Sequence, residues 1–518
     1  MATVTRALPR RTPPPAARAE GRRAVRDALI VTVGGQVGRV LGTFTALALR
    51  WGLDPARLGV YTGLRLYLDN TNRSSLGVGL GAVQEIPILR AAGRAVEAKR
   101  LVDVAYTVNT LTCLVYSVGL VGLAWWWAPT HAGDPLAAEW TWGLVAIAAL
   151  ALVKRYESFL IAVLRAYQEF ALTTRLEVLE SLISAVAVAV GLVLAGFWGL
   201  LGAVAVILGS KIAYLHAQHP LRFRWAWEGP TALRLMVVGL PILANTAAFG
   251  AVLNLDRVLI LTLVPDGERA AGLYTIALMG TGWSLDLAGR LVTVMYTYFQ
   301  TTLGRTGDLV EVAWQALRAT EAQAPPLAAG GAVAYVFAPL FLGTLMPRYA
   351  EGLDALRPLV PGMVLLGLAW PARQMLIAVG RPYRLCLATL VGLAFLAEIG
   401  MIGAVRGGLV GVAGAMSIGF GVVYVLTSAT AYVDPLGWSV WLRRQGRLSL
   451  TLAWFAGGAV VAASVWPERL GLTGIAARAG VLACWILPAL WAWGQRYRWG
   501  GVLDRWLGDQ RSLESIRV

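Results

Sequence analysis

The sequence predicts an all-α polytopic membrane protein with about 14 transmembrane helices. Its 518 residues are 57% hydrophobic and only 14% charged, whereas about a quarter of the residues in a soluble domain are charged. A soluble fold has too little core for its surface to bury so much apolar side chain. The apolar runs reach about 20 residues without strict alternation, which favours helices over a transmembrane β-barrel.

The chain begins with a basic tail, which is followed by fourteen apolar runs. Residues 1–27 contain seven arginines and a proline-rich stretch, so we expect a disordered cytoplasmic tail. The first apolar run is too long for a cleaved signal and is expected to span the membrane. A cytoplasmic amphipathic helix is expected at 301–323, where apolar residues recur at helical spacing. The predicted spans are 28–50, 57–86, 101–128, 141–163, 170–196, 198–218, 233–264, 271–300, 324–346, 354–379, 384–405, 409–432, 449–466 and 474–495.

The distribution of basic residues predicts the orientation. Of the 45 lysines and arginines, 32 fall in predicted inner segments, eight at the outer face and five within spans. Basic residues are retained on the cytoplasmic side of membrane proteins. We therefore expect both termini in the cytoplasm of a multi-pass protein of the inner (plasma) membrane.

An internal repeat divides the chain. Residues 160–167 (LIAVLRAY) resemble residues 376–383 (LIAVGRPY), and Gly59 and Tyr61 have counterparts in Gly272 and Tyr274. The offset covers six spans, so both copies have the same orientation, as in transporters whose two lobes move about a shared site. The predicted organisation is a tail at 1–27, an N-lobe at 28–219, a C-lobe at 220–433, two further spans at 434–495 and a cytoplasmic tail at 496–518.

Charged residues inside the spans predict a water-filled cavity between the lobes. An ionised side chain at bilayer depth is costly unless it faces protein or water. These charges concentrate in the first two spans of each lobe, and arginines outnumber acids there by five to three. Such a cavity suits a phosphorylated or otherwise anionic substrate. The predicted cavity residues are Arg39, Arg65, Asp69, Arg73, Asn245, Asp256, Arg257, Asp286 and Arg290.

Alternative roles remain for several of these residues. Arg65 and Asp69, like Asp286 and Arg290, lie one helical turn apart and could be structural ion pairs. Arg39 and Arg73 are therefore the strongest candidates for contacting a ligand. Glu177, Glu180 and Asp69 are candidate titrating groups, because a buried carboxyl can hold a proton near neutral pH.

The chain resembles the lipid-linked oligosaccharide flippases of the multidrug/oligosaccharidyl-lipid/polysaccharide exporter (MOP) superfamily. The resemblance covers about residues 28–495 and rests on short motifs. It implies a V-shaped, two-lobed transporter with a cationic cavity that moves undecaprenyl-pyrophosphate-linked sugars to the periplasmic leaflet. It also implies that the two additional C-terminal helices form a groove for the lipid tail. The motifs are Leu58–Tyr61, Gly93-Arg94 with Lys99-Arg100, Gly239–Pro241 with Leu255–Arg257, and Gly380–Pro382.

Other classes fit the sequence less well. A drug/cation antiporter of the same superfamily would favour acids over arginines in the cavity, and a membrane polymerase or ligase would need a large outer loop or a catalytic carboxylate motif. The loop after the second span lacks the signature of the major facilitators. We expect a monomeric transporter rather than an enzyme, with no cofactor, metal or nucleic acid and with a proton or sodium gradient as the candidate energy source. The expected partners are the polyprenyl-linked glycan, membrane lipid, and polysaccharide polymerase or glycosyltransferase machinery.

Overall fold

The computed structural model describes residues 41–91, 93–167, 169–219, 221–285, 306–465 and 472–497, with the short pieces 288–289, 299 and 302–303. These residues form helices joined by short connections and contain no strand. Eight helical stretches among them are long and apolar enough to cross a membrane. The predicted all-α polytopic fold is confirmed.

The helices follow one another closely along the chain. Residues 41–52 are helical and are called α1. The others are α2 (Pro55–Asn70), a 3₁₀ turn (Thr71–Ser75), α3 (Val78–Ala91), α4 (Ala95–Thr130), α5 (Ala137–Ala166), α6 (Phe170–Gln218), α7 (Gly229–Val252), α8 (Leu255–Leu263), α9 (Gly267–Thr281), α10 (Leu309–Leu345), a second 3₁₀ helix (Pro347–Ala355), α11 (Leu356–Leu368), α12 (Trp370–Ala378), α13 (Pro382–Leu436), α14 (Trp438–Ser464) and α15 (Leu472–Tyr497).

The structure differs from the predicted spans in two ways. The second, seventh and tenth spans are each broken into two helices. Conversely, the prediction of a separate amphipathic helix at 301–323 is wrong. α10 begins at Leu309 and continues without a break through the predicted ninth span. At 1.5 Å per residue the 37 residues of α10 extend about 55 Å, which exceeds a hydrocarbon core of about 30 Å. One end of α10 therefore projects beyond the membrane.

Two tight helical hairpins show the repeat directly. In α6 the chain reverses at Ala195 and Gly196, and in α13 it reverses at Gly408. The backbones beside each turn touch at a glycine pair, and a Cβ on any of these four glycines would lie within 2.4 Å of the opposite carbonyl oxygen. The close approach explains why glycine is required at both sites. The glycine pairs are Gly191 with Gly199 and Gly403 with Gly411, each related by 212 residues.

Matching ion pairs mark the same repeat at the helix ends. Arg57 Nε lies 3.3 Å from Glu139, and Arg269 lies 3.0 Å from Glu351. Both pairs are again related by 212 residues. The repeat therefore preserves side-chain partners as well as helix order, whereas the domain boundaries stay a prediction.

The two repeats meet where α2 crosses α9. A Cβ on Gly59 would lie 1.6 Å from the carbonyl oxygen of Glu268, and one on Gly272 would lie 1.7 Å from that of Pro55. Gly59 and Gly272 are equivalent positions of the repeat, so the crossing is nearly symmetrical. It closes the end of the molecule that is predicted to face the outside.

A second contact joins α3 of the first repeat to α7 of the second. Gly239 packs against the carbonyl of Gly77, and Gly81 packs against that of Leu235. The two additional helices, α14 and α15, pack against each other and against α10. They lie on the second repeat, away from the α2–α9 crossing.

Candidate functional site

The second span is broken at its centre by residues 71–77, which we call the span-2 break. Thr71–Ser75 form a 3₁₀ turn, and Leu76 and Gly77 have φ angles of 51° and 80°. Hydroxyl groups within the turn bond to nearby carbonyls, including Ser75 Oγ to Asn72 O at 3.0 Å. Irregular backbone at membrane depth is found where it is buried in protein or lines a cavity, so the break is the first candidate for a site.

Arg155 of α5 holds the span-2 break in place. Its guanidinium donates to the carbonyls of Thr71 and Asn72 and to the hydroxyl of Ser74. Asn72 also donates to Ser158 Oγ at 3.1 Å. Arg155 is buried, so its charge satisfies carbonyls that the break leaves without helical partners.

Arg73 projects from the break to the opposite repeat. Its guanidinium donates to Asn70 Oδ1 and lies so close to Gly250 of α7 that a Cβ there would be 1.6 Å from a terminal nitrogen. In the described part of the chain no carboxylate lies within ion-pair distance of Arg73, since the ion pairs there involve other arginines and lysines. Arg73 is therefore a cation between the repeats with bonding capacity for an anion.

The seventh span is also broken near Arg73. α7 continues through Pro241 and ends at Val252, and α8 begins at Leu255. Asn254 in the gap donates to the carbonyl of Gly250 at 2.7 Å and accepts from Arg257 at 2.6 Å. The second span of one repeat and the seventh span of the other are therefore both broken, and they contact each other where Arg73 approaches Gly250.

Six charged side chains of the first repeat form two neighbouring ion-paired groups, which together we call the charge row. Arg65 Nε lies 3.5 Å from Asp69 and within electrostatic reach of Glu180. Glu180 lies 2.7 Å from Lys211, which lies 2.5 Å from Glu157. Glu157 also accepts from Lys154 at 3.0 Å. The row is Asp69, Arg65, Glu180, Lys211, Glu157 and Lys154.

The predicted site residues fall into separate environments. Arg65 and Asp69 lie on α2, whereas the break separates Arg73 from that helix although all three fall within one predicted span. Asn245 and Asp256 also lie on separate helices, α7 and α8, because the gap after α7 divides the predicted seventh span. Both are buried in helix packing, and Asp256 lies beside the Tyr274 hydroxyl.

The remaining predicted residues are either exposed or outside the described part. Glu177 is exposed on α6, whereas its neighbour Glu180 belongs to the charge row. Arg39, Asp286 and Arg290 lie outside the described residues.

Sequence reasoning missed Arg155, Glu157 and Lys211. All three are charged residues within or at the end of predicted spans, the criterion that selected Arg65 and Asp69. Arg155 and Glu157 fall near the inner end of the predicted fourth span, where a charged residue is expected to lie at the membrane interface. Their depth emerges only from the packing, which leaves Glu157 1% and Lys211 3% exposed.

A further buried arginine lies in the second repeat. Arg373 stacks on Phe249, with its guanidinium carbon 3.6 Å from the ring centroid, and donates weakly to Thr389 Oγ1 at 3.4 Å. Because Phe249 precedes Gly250, the cations Arg73 and Arg373 contact adjacent positions of α7. A buried cation over an aromatic ring is favourable once both are desolvated.

A cavity of about 440 Å³ lies between α10, α14 and α15. Arg444 and Arg447 line it together with an apolar wall that includes Trp454 and Phe455. Arg444 is bound to Glu321 at 3.0 Å. The cavity thus combines cationic groups with apolar surface on the two additional helices.

Metal binding has no support in the described residues, where no group of three or more His, Cys, Asp or Glu side chains is placed to hold an ion. The three cysteines are unpaired. The chemistry of the site is therefore that of arginines, carboxylates and lysines.

Comparison with known proteins identifies the fold. Residues 93–345 match the family model described as polysaccharide biosynthesis protein. The whole architecture is similar to the lipid II flippase MurJ in an inward closed conformation, with a TM-score of 0.65 and 12% identity over 91% of this chain and 99% of that one. This is the fold of the MOP superfamily. The resemblance inferred from the sequence is confirmed at that level.

Two further transporter structures described as members of the MOP superfamily are similar to this chain to nearly the same extent. An inward-facing multidrug resistance MATE transporter matches with a TM-score of 0.59 and 14% identity, over 81% of this chain and 98% of that one. A MOP transporter from Pyrococcus furiosus, described as having a binding pocket of reverse polarity, matches with a TM-score of 0.53 and 14% identity, over 82% and 95%. No curated protein sequence matches this chain. MOP proteins of both drug-exporting and lipid-flipping type thus share its helix arrangement.

Proposed function

We propose that this MOP-superfamily protein flips a polyprenyl-pyrophosphate-linked oligosaccharide across the inner membrane for polysaccharide biosynthesis. The observation that carries the proposal is Arg73, a cation at the break of one span that touches a helix of the opposite repeat. A guanidinium matches the oxygens of a phosphate with two parallel hydrogen bonds. An anion held there would bridge the two lobes.

The comparisons support this class of substrate. The matched family is described as polysaccharide biosynthesis protein, and MurJ is described as a flippase of lipid II. The described arrangement also suits an anion better than a cationic drug, because Asp69 is neutralised by Arg65 whereas Arg73 has no carboxylate at ion-pair distance in the described residues.

Alternating access would separate the repeats at one end and join them at the other. In the present state the glycines of the α2–α9 crossing hold the outer end closed. Rotation of the lobes about the site would expose Arg73 to either side in turn. The breaks in the second and seventh spans supply positions at which the helices can bend.

The groove between α10, α14 and α15 suits the lipid tail of such a substrate. Trp454, Phe455 and Trp493 supply an apolar wall, while Arg444 and Arg447 supply positive charge. A long prenyl chain could remain in this groove and the surrounding bilayer while its headgroup enters the cavity. Membrane lipid and the substrate are thus the immediate partners, and polymerase or glycosyltransferase machinery would act before or after transport.

An ion gradient is the proposed energy source, since the sequence contains no nucleotide-binding loop. Glu180 and Asp69 lie in the charge row, and Glu177 is exposed beside it. Proton binding at such carboxyls would couple transport to the gradient.

The proposed topology places both termini in the cytoplasm. Reporters fused after Gly133, Arg94 and Arg444 should give outside, inside and inside, because basic residues concentrate at the last two sites and the 129–140 connection has none. Paired periplasmic and cytoplasmic enzyme fusions measure this directly. A cytoplasmic result at Gly133 would contradict the fourteen-span arrangement.

Binding selectivity tests the proposed function. The purified protein should bind a polyprenyl pyrophosphate at least about ten-fold more tightly than the matching polyprenol, because charge-assisted hydrogen bonds to the phosphates contribute about 1.5–3 kcal/mol. Native mass spectrometry with both lipids and a lipophilic cationic drug gives the comparison. Preference for the cation would favour the drug antiporter, and equal binding of pyrophosphate and polyprenol would contradict the flippase.

A further inference from the structure

Residues 221–228, which join the two repeats, form an extended segment that we call the strap. The strap lies along α4, where side chains one helical turn apart bond to the backbone of alternate strap residues at 2.7–3.1 Å. The bonded pairs are Lys99 with Arg222, Asp103 with Arg224 and Thr107 with Ala226. At 1.5 Å per helical residue, the strap therefore follows α4 for about 12 Å.

The position of the strap on α4 sets its depth in the bilayer. The predicted span of α4 starts at residue 101, six residues before Thr107. Because the strap and α4 run in the same direction, Arg222 lies at the level of the inner lipid headgroups, and Trp225 and Trp227 lie deeper. The two tryptophan side chains are 64% and 69% exposed. Exposed tryptophans at this depth are typical of contact with the interface of a bilayer.

The charges around the strap leave two arginines without an acidic partner. Every acid on α3, α4, the strap and α7 is bound to a different basic residue. These ion pairs are Arg94 with Glu97, Lys99 with Asp103, Arg100 with Glu228 and Arg234 with Glu85. In the described part of the chain, neither Arg222 nor Arg224 has a carboxylate within ion-pair distance, and both are exposed. The strap thus presents a local excess of positive charge.

We propose that the strap binds an anionic phospholipid of the cytoplasmic leaflet, with Arg222 and Arg224 on its phosphate and Trp225 and Trp227 against its acyl chains. A guanidinium presents a planar fork that fits the oxygens of a phosphate. Its charge favours an anionic headgroup over a zwitterionic one, because juxtamembrane basic residues are attracted to anionic lipid. An acidic protein segment would match the arginines but not the exposed tryptophans, so lipid is the favoured occupant.

The proposed lipid site is separate from the transport site. The strap lies on the outside of α4, whereas Arg73 lies between the repeats at Gly250. The proposal takes only the leaflet from the proposed topology and does not depend on which substrate the protein moves.

Native mass spectrometry of the purified full-length protein tests the lipid preference. The protein in a neutral detergent is titrated with phosphatidylglycerol and, separately, with phosphatidylcholine that has the same acyl chains. A basic residue beside an anionic lipid surface strengthens binding about five-fold. We therefore expect the wild type to prefer phosphatidylglycerol, and the double variant Arg222→Gln with Arg224→Gln to bind it at least about five-fold more weakly.

Matched variants control for charge and folding. Arg348→Gln with Arg406→Gln removes the same charge from exposed arginines at the predicted outer face and should bind phosphatidylglycerol like the wild type. Arg222→Lys with Arg224→Lys keeps the charge and should retain most of the preference. Each glutamine substitution alone should lose part of it, which keeps the test valid if the double variant folds poorly.

Two results would overturn the phospholipid site. The first is an unchanged preference for phosphatidylglycerol in both single glutamine variants and in the double variant. The second is loss of farnesyl pyrophosphate binding in these variants while the preference for phosphatidylglycerol persists, which would assign the strap to the substrate lipid. Neither result changes the preference of the wild type for a polyprenyl pyrophosphate over the polyprenol, on which the proposed function depends.

Discussion

Replacing Gly272 with alanine should force α2 and α9 apart and reduce transport at least about five-fold. The added Cβ would lie 1.7 Å from the carbonyl oxygen of Pro55, and a backbone atom cannot move aside by rotating a side chain. Overpacking of this kind costs about 1–3 kcal/mol, which shifts a two-state population by about five-fold to more than a hundred-fold. The closed state of this end should therefore become scarce, and the transport cycle needs that state.

The same change can be followed without transport. The side chain of Val60 is fully buried beside the crossing, so a cysteine there, in a background without the three natural cysteines, should react with a maleimide slowly in the wild type and faster in Gly272→Ala. Gly119→Ala is the matched control, because a Cβ at Gly119 of α4 meets no atom within 4 Å. Unchanged labelling and unchanged transport in Gly272→Ala would show that the crossing does not act as a gate.

Replacing Arg73 with alanine should abolish export of the glycan while leaving the protein folded. A lost bidentate contact between a guanidinium and a phosphate costs about 1.5–3 kcal/mol, or about ten-fold to more than a hundred-fold in affinity. Arg73 has no carboxylate within ion-pair distance in the described region, so its removal strands no buried acid there and expression should persist. Lysine at this position should restore part of the activity, because it retains charge but lacks the planar fork.

Arg57→Ala is the matched control for Arg73→Ala. Arg57 precedes Arg73 in the same span but pairs with Glu139 at the helix end, half exposed. Complementation of a strain that lacks its flippase, at equal protein level, measures both variants. Normal export by Arg73→Ala would contradict binding of the phosphate by this arginine.

Much of the fold follows from the sequence because it depends on repeated local signals. Apolar runs of membrane length predict the spans, and the repeated Gly-x-Tyr around Gly59 and Gly272 predicts the equivalence of the two lobes. The structure gives these glycines a reason, since each meets the carbonyl of the other helix. Periodicity alone could not show that the two positions touch each other.

The central breaks could not be placed from helical periodicity. Arg73 falls on the face of Arg65 and Asp69 only if the second span is one helix, and the hydroxyl-rich run after Asn70 ends that helix instead. In α7, Pro241 is the obvious candidate for a bend, yet the gap lies beyond it at Leu253 and Asn254. Hydroxyl and amide side chains that satisfy free carbonyls mark these breaks more reliably here than proline does.

Only those contacts of the candidate site that lie within one helix can be predicted from the sequence. Spacing within one helix predicts the pair Arg65 and Asp69, but Glu180 pairs with Lys211 from the far side of the turn in α6. Lys211 in turn pairs with Glu157 of α5. Such contacts between distant segments depend on packing, which one sequence does not display. The acid at Glu180 therefore indicates a charged cluster in the fifth span, but the sequence does not identify the other members of that cluster.

Movement of a lipid-linked oligosaccharide between leaflets tests the central claim most directly. Proteoliposomes that contain the purified protein are loaded with a fluorescent polyprenyl-pyrophosphate oligosaccharide, and the fraction accessible to a membrane-impermeant quencher is followed with time. We expect exchange well above that of protein-free liposomes for the wild type and Arg57→Ala, exchange at the protein-free level for Arg73→Ala, and exchange at least about five-fold below the wild type for Gly272→Ala. Exchange by the wild type at the protein-free level, in vesicles where an imposed ion gradient drives movement of a cationic drug, would contradict it.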